Sequence, residues 1–118
     1  MNKLELITMA QQAEKELKTL IDDADRFHEF AQKSETLGAN EARKILSQYA
    51  KQLDKKAAKC IALRKDAKLL IDGIPDEISR TILTRRFLNG ENWEHIAEEM
   101  HFSLAHIYRL RKKALASL

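Results

Sequence analysis

Scarcity sets the first limits on this 118-residue chain, which holds one cysteine, one proline, three glycines and one tryptophan. A lone cysteine forms no disulfide within its own chain, so Cys60 is expected to be a small buried hydrophobe in a reducing, cytoplasmic compartment. Few aromatics, at 6%, and few glycines and prolines argue against a β fold. No apolar stretch approaches the ~20 residues that span a bilayer, and the opening MNKLELITMAQQAEKEL is too polar for a secretory signal. There is no glycine-rich phosphate loop, no pair of carboxylates in an apolar context and no Ser/His/Asp arrangement. Neither an enzyme nor a cofactor is therefore expected.

What is present is charge and helix-forming residues. One third of the chain is charged, and Ala, Glu, Lys, Leu and Arg dominate, which is the signature of an all-α, coiled-coil-like protein. The net charge is only +3, but it is unevenly spread. Residues 1–35 carry 5 basic and 8 acidic groups (−3), residues 36–75 carry 9 and 4 (+5), and residues 76–118 carry 7 and 6 (+1). From Ser103 onward there are four basic groups and no acidic one.

Two breakers divide the chain. In TLGAN (36–40) a glycine precedes Asn40, which is suited to cap a helix. In DGIPDE (72–77), Gly73 ends one helix and Pro75 begins another. The first helical section, about 2–35, repeats Leu6, Ala10, Ala13, Leu17, Leu20, Ala24, Phe27 and Ala31 at alternating spacings of four and three. The second, about 40–72, repeats Leu46, Ala50, Leu53, Ala57, Cys60, Arg64, Ala67 and Ile71 in the same way. The short TLGAN connection predicts a long antiparallel hairpin over 1–72, followed by a separate unit over 73–118. Opposite charge balance favours pairing of the two helices, within the chain or between chains. An alanine-rich seam buries little area, so further apolar cover is expected from a second copy, another protein or the C-terminal unit. Lys51, Lys55, Lys56, Lys59, Lys65 and Lys68 are expected on the solvated outer face.

The C-terminal third is the most informative. Asp76 to Gly90 reads as a helix closed by Asn-Gly, with Ile78, Ile82, Leu83 and Phe87 as its apolar stripe. Asn92 is placed to cap WEHIAEEM, Trp93 to pack on the preceding helix, and Ser103 to cap LAHIYRLRKKALASL. A helix-turn-helix needs a small residue where its helices cross, here Ala97. It needs inward apolar groups too, here Ile96, Met100, Phe102, Ile107 and Leu110. That leaves Leu104, Ala105, His106, Tyr108, Arg109, Lys112 and Lys113 to face a groove or phosphates. At the turn position usually filled by glycine stands His101. Positive φ is expected there, at about 1 kcal/mol for a non-glycine residue, although His adopts it more readily than most. His95 and Glu99 are four apart with His101 and His106 nearby, but no cysteine or second ordered pair supports a metal site, and none is expected.

The stretch ILTRRFLNGENWEHIAEEMHFSLAHIYRLRKKALASL resembles the fourth conserved region of bacterial sigma factors, the part that binds the promoter −35 element. With its helical N-terminus, the whole chain resembles small phage and prophage sigma-like transcriptional regulators. The resemblance implies that the last helix enters the major groove of duplex DNA. Ser103, Leu104, Ala105, His106 and Arg109 would then lie nearest the bases, and Arg85, Arg86, Lys112 and Lys113 nearest the phosphates. Leu104 and Ala105 would suit thymine methyls, Arg109 or His106 a guanine edge, and Tyr108 a phosphate. No counterpart of the promoter-melting region is present, so a complete sigma factor is not implied.

The expected function is sequence-specific DNA binding at promoters, acting with host RNA polymerase, while the hairpin forms a homodimer or touches the polymerase. A different class is an adaptor that grips RNA polymerase or a host factor without reading DNA. A DNA-packaging subunit fits less well, since such proteins carry their DNA-binding helices at the N-terminus.

Overall fold

The computed structural model describes residues 2–118. Among them the chain is all-α, with helices α1 (Lys3–Lys33), α2 (Ala39–Asp72), α3 (Glu77–Leu83), α4 (Trp93–Glu99) and α5 (Leu104–Ala116), and no strand. A π-helical turn, Thr84–Leu88, continues α3.

The ends of these helices follow from local polar chemistry. Asn2 accepts a hydrogen bond from the Glu5 N–H at 2.8 Å, and its own amide donates to the Glu5 carboxylate at 3.0 Å, a reciprocal cap for α1. After α1, the Ser34 hydroxyl oxygen accepts from the N–H groups of Thr36 and Leu37. Asn40 is not the cap of α2. The helix has already begun at Ala39, and the Gly38 carbonyl accepts from Ala42 N–H. Gly73 does close α2, its N–H donating to Leu69 O at 3.3 Å. Asp76, one residue after Pro75, starts α3 by accepting from the N–H and hydroxyl of Ser79 at 3.0 and 2.6 Å. Those two bonds hold the Asp76 carboxyl below its ordinary range. Arg80 ties off the loop by donating to the carbonyls of Ile74 and Pro75.

Packing divides the chain at places other than its two breakers. One unit comprises Met1–Gln11 with Ala62–Leu118, and the other Gln12–Ile61. In the unit of Gln12–Ile61 the helices run antiparallel, since Phe27 meets Tyr49 at 5.9 Å while Glu16 pairs with Lys56 further along at 3.6 Å. Ala13, Leu20 and Cys60 are buried along the seam, and Leu17, Ala24, Phe27, Leu46, Leu53 and Ala57 are half-buried. Ala50 departs from the expected repeat. It is exposed, and Tyr49 turns inward in its place. The larger ring fills a seam that alanine would leave hollow.

In the other unit, Ile7 and Ala10 of α1 and Ala67 and Ile71 of α2 share one core with Ile74, Ile82, Leu83, Leu88, Trp93, Ile96, Ala97, Ile107 and Ala114. The reason is size: helices of 7, 7 and 13 residues enclose too little apolar area by themselves. Arg64 is not a member of the seam. It reaches out to donate to Leu88 O and, at 3.3 Å, to Asn89 Oδ1, and half-buried Leu63 takes the inward position. The stripe of α3 is also turned by one residue, with Ser79 buried and Ile78 40% exposed. Burying Ser79 costs little because its hydroxyl is bonded to Asp76.

Candidate nucleic-acid interface

The turn between α4 and α5 is built without glycine. After Glu99 ends α4, His101 adopts φ 58°, the only positive φ of a non-glycine among the described residues. The Phe102 N–H then donates back to Ala97 O at 2.9 Å and the His101 N–H to Glu98 O at 3.2 Å. This pair of bonds is the Schellman closure that a left-handed residue permits, and it delivers Phe102 against the core. Ser103 caps α5 by accepting from His106 N–H at 3.1 Å, and Asn92 caps α4 by accepting from His95 N–H at 2.8 Å. Both caps and the strained turn stand where the sequence placed them. So do buried Ile96, Ala97 and Ile107 and half-buried Met100, Phe102 and Leu110.

With Ile107, Leu110 and Ala114 turned inward, α5 presents Leu104, Ala105, Tyr108, Arg109 and Lys112 on its opposite side, all exposed. The first turn of this face is apolar and hydroxylic, and its later turns are cationic. Arg109 and Lys112 make no ion pair or hydrogen bond with the described residues, leaving both charges available to an anion. Lys113 is exposed at the flank, near enough to Asp76 to favour its carboxylate. His106 is held back: half-buried, it stands edge-on to Phe102 at 4.8 Å. The Ser103 hydroxyl is already engaged as a cap. Within the candidate face, then, Leu104, Ala105, Tyr108, Arg109 and Lys112 are unobstructed, whereas Ser103 and His106 shape its start.

Arg85 and Arg86 lie on the π-helical turn, where the Asn89 N–H donates five residues back to Thr84 O at 3.0 Å. Both are half-buried and turned towards the chain itself. Arg85 donates through Nε and Nη2 to both oxygens of Glu91, at 2.9 and 2.6 Å, and through Nη2 to Glu99. The guanidinium holds the Glu91 carboxyl below its ordinary range, and the two carboxylates raise the pKa of Arg85 in turn. Its fork is thus occupied by carboxylates where a phosphate contact was expected. Arg86 donates to Glu91 O at 3.3 Å, and its own carbonyl accepts from Gln11 Nε2 at 3.3 Å.

His95 completes this network, its Nε2 lying 3.3 Å from Glu91 and 3.0 Å from Glu99. Glu91, His95 and Glu99 could each offer an atom to a cation, but the Arg85 charge already sits among them. The cluster is best understood as a clamp joining the π-helical turn to α4. His101 and His106 are not part of it. Sequence reasoning found the His95–Glu99 spacing but not Arg85, whose approach depends on the π-helical turn. It missed Arg111 as well, which lies 5.7 Å over the Trp93 ring and secures α5 to the start of α4. Trp93 itself packs edge-on against Phe87 at 6.5 Å, as anticipated for the preceding helical segment.

No helix among the described residues is long and apolar enough to cross a membrane. No curated protein and no solved structure matches the chain. A family model described as a protein of unknown function, DUF1492, matches residues 46–118, which begin within α2 and run through α5. The span covers more than half of the sequence, and the chain belongs to the DUF1492 family.

Proposed function

We propose that this protein is a sequence-specific DNA-binding transcriptional regulator of the phage sigma-like kind, with α5 as the helix that enters the major groove. The observation that carries the reading is the exposed face of α5. Leu104 and Ala105 at its start suit thymine methyl groups, and Arg109 and Lys112 further along are unpaired cations matched to a guanine edge and to phosphate. The tight turn through His101, the two N-caps and the inward apolar positions give that face a rigid support. The resemblance of residues 82–118 to the promoter-binding region of sigma factors adds the expectation of action at promoters beside host RNA polymerase.

With Arg85 engaged by Glu91 and Glu99, the phosphate contacts in this reading are Arg86, Lys112, Lys113 and Tyr108. A second reading, an adaptor that grips RNA polymerase without reading bases, is favoured by the exposed Glu94 and Glu98 on α4. Mapping the DNA bound by the tagged protein in cells tests the first reading. Enrichment at discrete promoters supports it, and an even distribution overturns it. Capture of purified RNA polymerase in the absence of DNA, with no affinity for any duplex, is the outcome of the second.

A further inference from the structure

The unit of Gln12–Ile61 has a face that its own two helices leave uncovered. On α1 the exposed Ile21 stands beside the half-buried seam residues Leu17 and Ala24, and on α2 the exposed Ala50 and Ile61 stand beside half-buried Ala57. Ile21 is 41% exposed and Ile61 68% exposed, each one residue after a buried member of the seam, Leu20 and Cys60. Two helices alone bury one narrow seam each, and this unit fully buries little besides Ala13, Leu20 and Cys60.

Charge identifies the occupant. Within this unit the α1 segment, residues 12–33, carries 4 basic and 6 acidic groups, a balance of −2. The α2 segment, residues 39–61, carries 6 basic and 2 acidic groups, a balance of +4. Asp25 on α1 lies next to Ile21 and Lys51 on α2 lies at the edge beyond Ile61, and neither has an ion-pair partner among the described residues. Asp54 interrupts the α2 stripe with one carboxylate, outnumbered by the cations around it.

We infer that this face is covered by a second copy of the chain, two hairpins forming a symmetric four-helix bundle. With the two-fold axis along the bundle, α1 of each copy lies between its own α2 and the partner's α2. Every neighbouring pair is then antiparallel and joins an acidic helix to a basic one. Ile21 of one copy packs beside the partner's Ile61 stripe, and Asp25 faces the partner's Lys51. Each contact occurs twice, which is why a modest apolar stripe suffices. The inference stands on the hairpin alone and does not require that α5 bind DNA.

Light scattering on the full-length protein, without DNA, tests it. The expected mass is twice the chain's 13.6 kDa. The paired substitution Ile21→Lys with Ile61→Lys halves that mass with unchanged far-UV helicity, because both side chains are exposed in the single chain. Asp25→Lys weakens self-association by about tenfold, and adding Lys51→Glu to the same chain restores it. A wild-type mass of one chain up to high micromolar concentration overturns the inference, as does a dimer indifferent to the Ile21 and Ile61 changes. A monomer that still binds duplex DNA would sink this inference and leave the proposed function standing.

Discussion

At His101 the backbone takes a conformation, φ 58°, that a side chain resists at about 1–2 kcal/mol. The residue is nevertheless exposed and forms no part of the carboxylate cluster beside it. His101→Gly should therefore raise the midpoint of thermal unfolding, by up to about 1 kcal/mol of stability after the entropy of a freer unfolded chain is subtracted. His101→Val should lower it, since a β-branched residue fits a left-handed turn worse. A glycine variant less stable than the wild type would mean that the imidazole itself holds the turn. This position was legible in the sequence because helix caps are local. Asn92 and Ser103 lie at fixed offsets from the N–H groups they serve, and the position between Met100 and Phe102 has to reverse the chain. Residues that act across the fold were not legible. Nothing in the spacing of Arg85, Glu91 and Glu99 announces that one guanidinium will meet both carboxylates.

Among the elements, the π-helical turn has the largest consequence. It widens the helix after Leu83 so that Arg85 swings towards α4, and the Arg85 clamp then fixes α4. Arg85→Gln should cost about 1.5–3 kcal/mol, the range for a hydrogen bond to a charged partner. Combined with Glu91→Gln it should cost less than the two changes summed, which a double-mutant cycle in urea would read. Equal and additive losses would mean that the two residues act separately. The acid limb of stability follows from the same pair. The Glu91 carboxyl is depressed by Arg85 below its ordinary value of 4.5, so its contribution is complete above that pH and is lost as pH falls through the folded-state value. As pH falls below 4.5 the wild type should thus lose more stability than Glu91→Gln. Matching curves would remove Glu91 from the account. Heptad periodicity found α1 and most of α2, whose seams need only spacing. It misplaced Ala50 and Arg64 by one position, as the apolar stripe of α3 misplaced Ile78, because the choice between adjacent residues is made by tertiary partners: the Phe27 ring, the Leu88 carbonyl and the Asp76 cap.

For the whole molecule, the two breakers in the sequence mark where helices end, not where packing units end. Gly73 and the TLGAN segment are visible because glycine and asparagine punctuate a chain locally. The sharing of Ile7, Ala10, Ala67 and Ile71 with the core beneath α5 depends on contacts far apart in sequence. That core is what makes α5 a rigid platform, and the charge on the platform sets the expected behaviour towards DNA. Replacing Lys112 and Lys113 by alanine should weaken binding to every duplex alike and reduce the slope of log affinity against log salt by about 2. Arg109→Ala should cost about 1–3 kcal/mol on a preferred site and much less on others. The most direct measurement is selection of duplexes from a random-sequence pool by the full-length protein, followed by titration of the selected and a scrambled duplex across a range of salt. A base-reading α5 should yield a common sequence among the selected duplexes, bound about 10³-fold or more tightly than the scrambled one and more weakly as salt rises. Recovery of no common sequence, with no salt-sensitive affinity for any duplex, would contradict it.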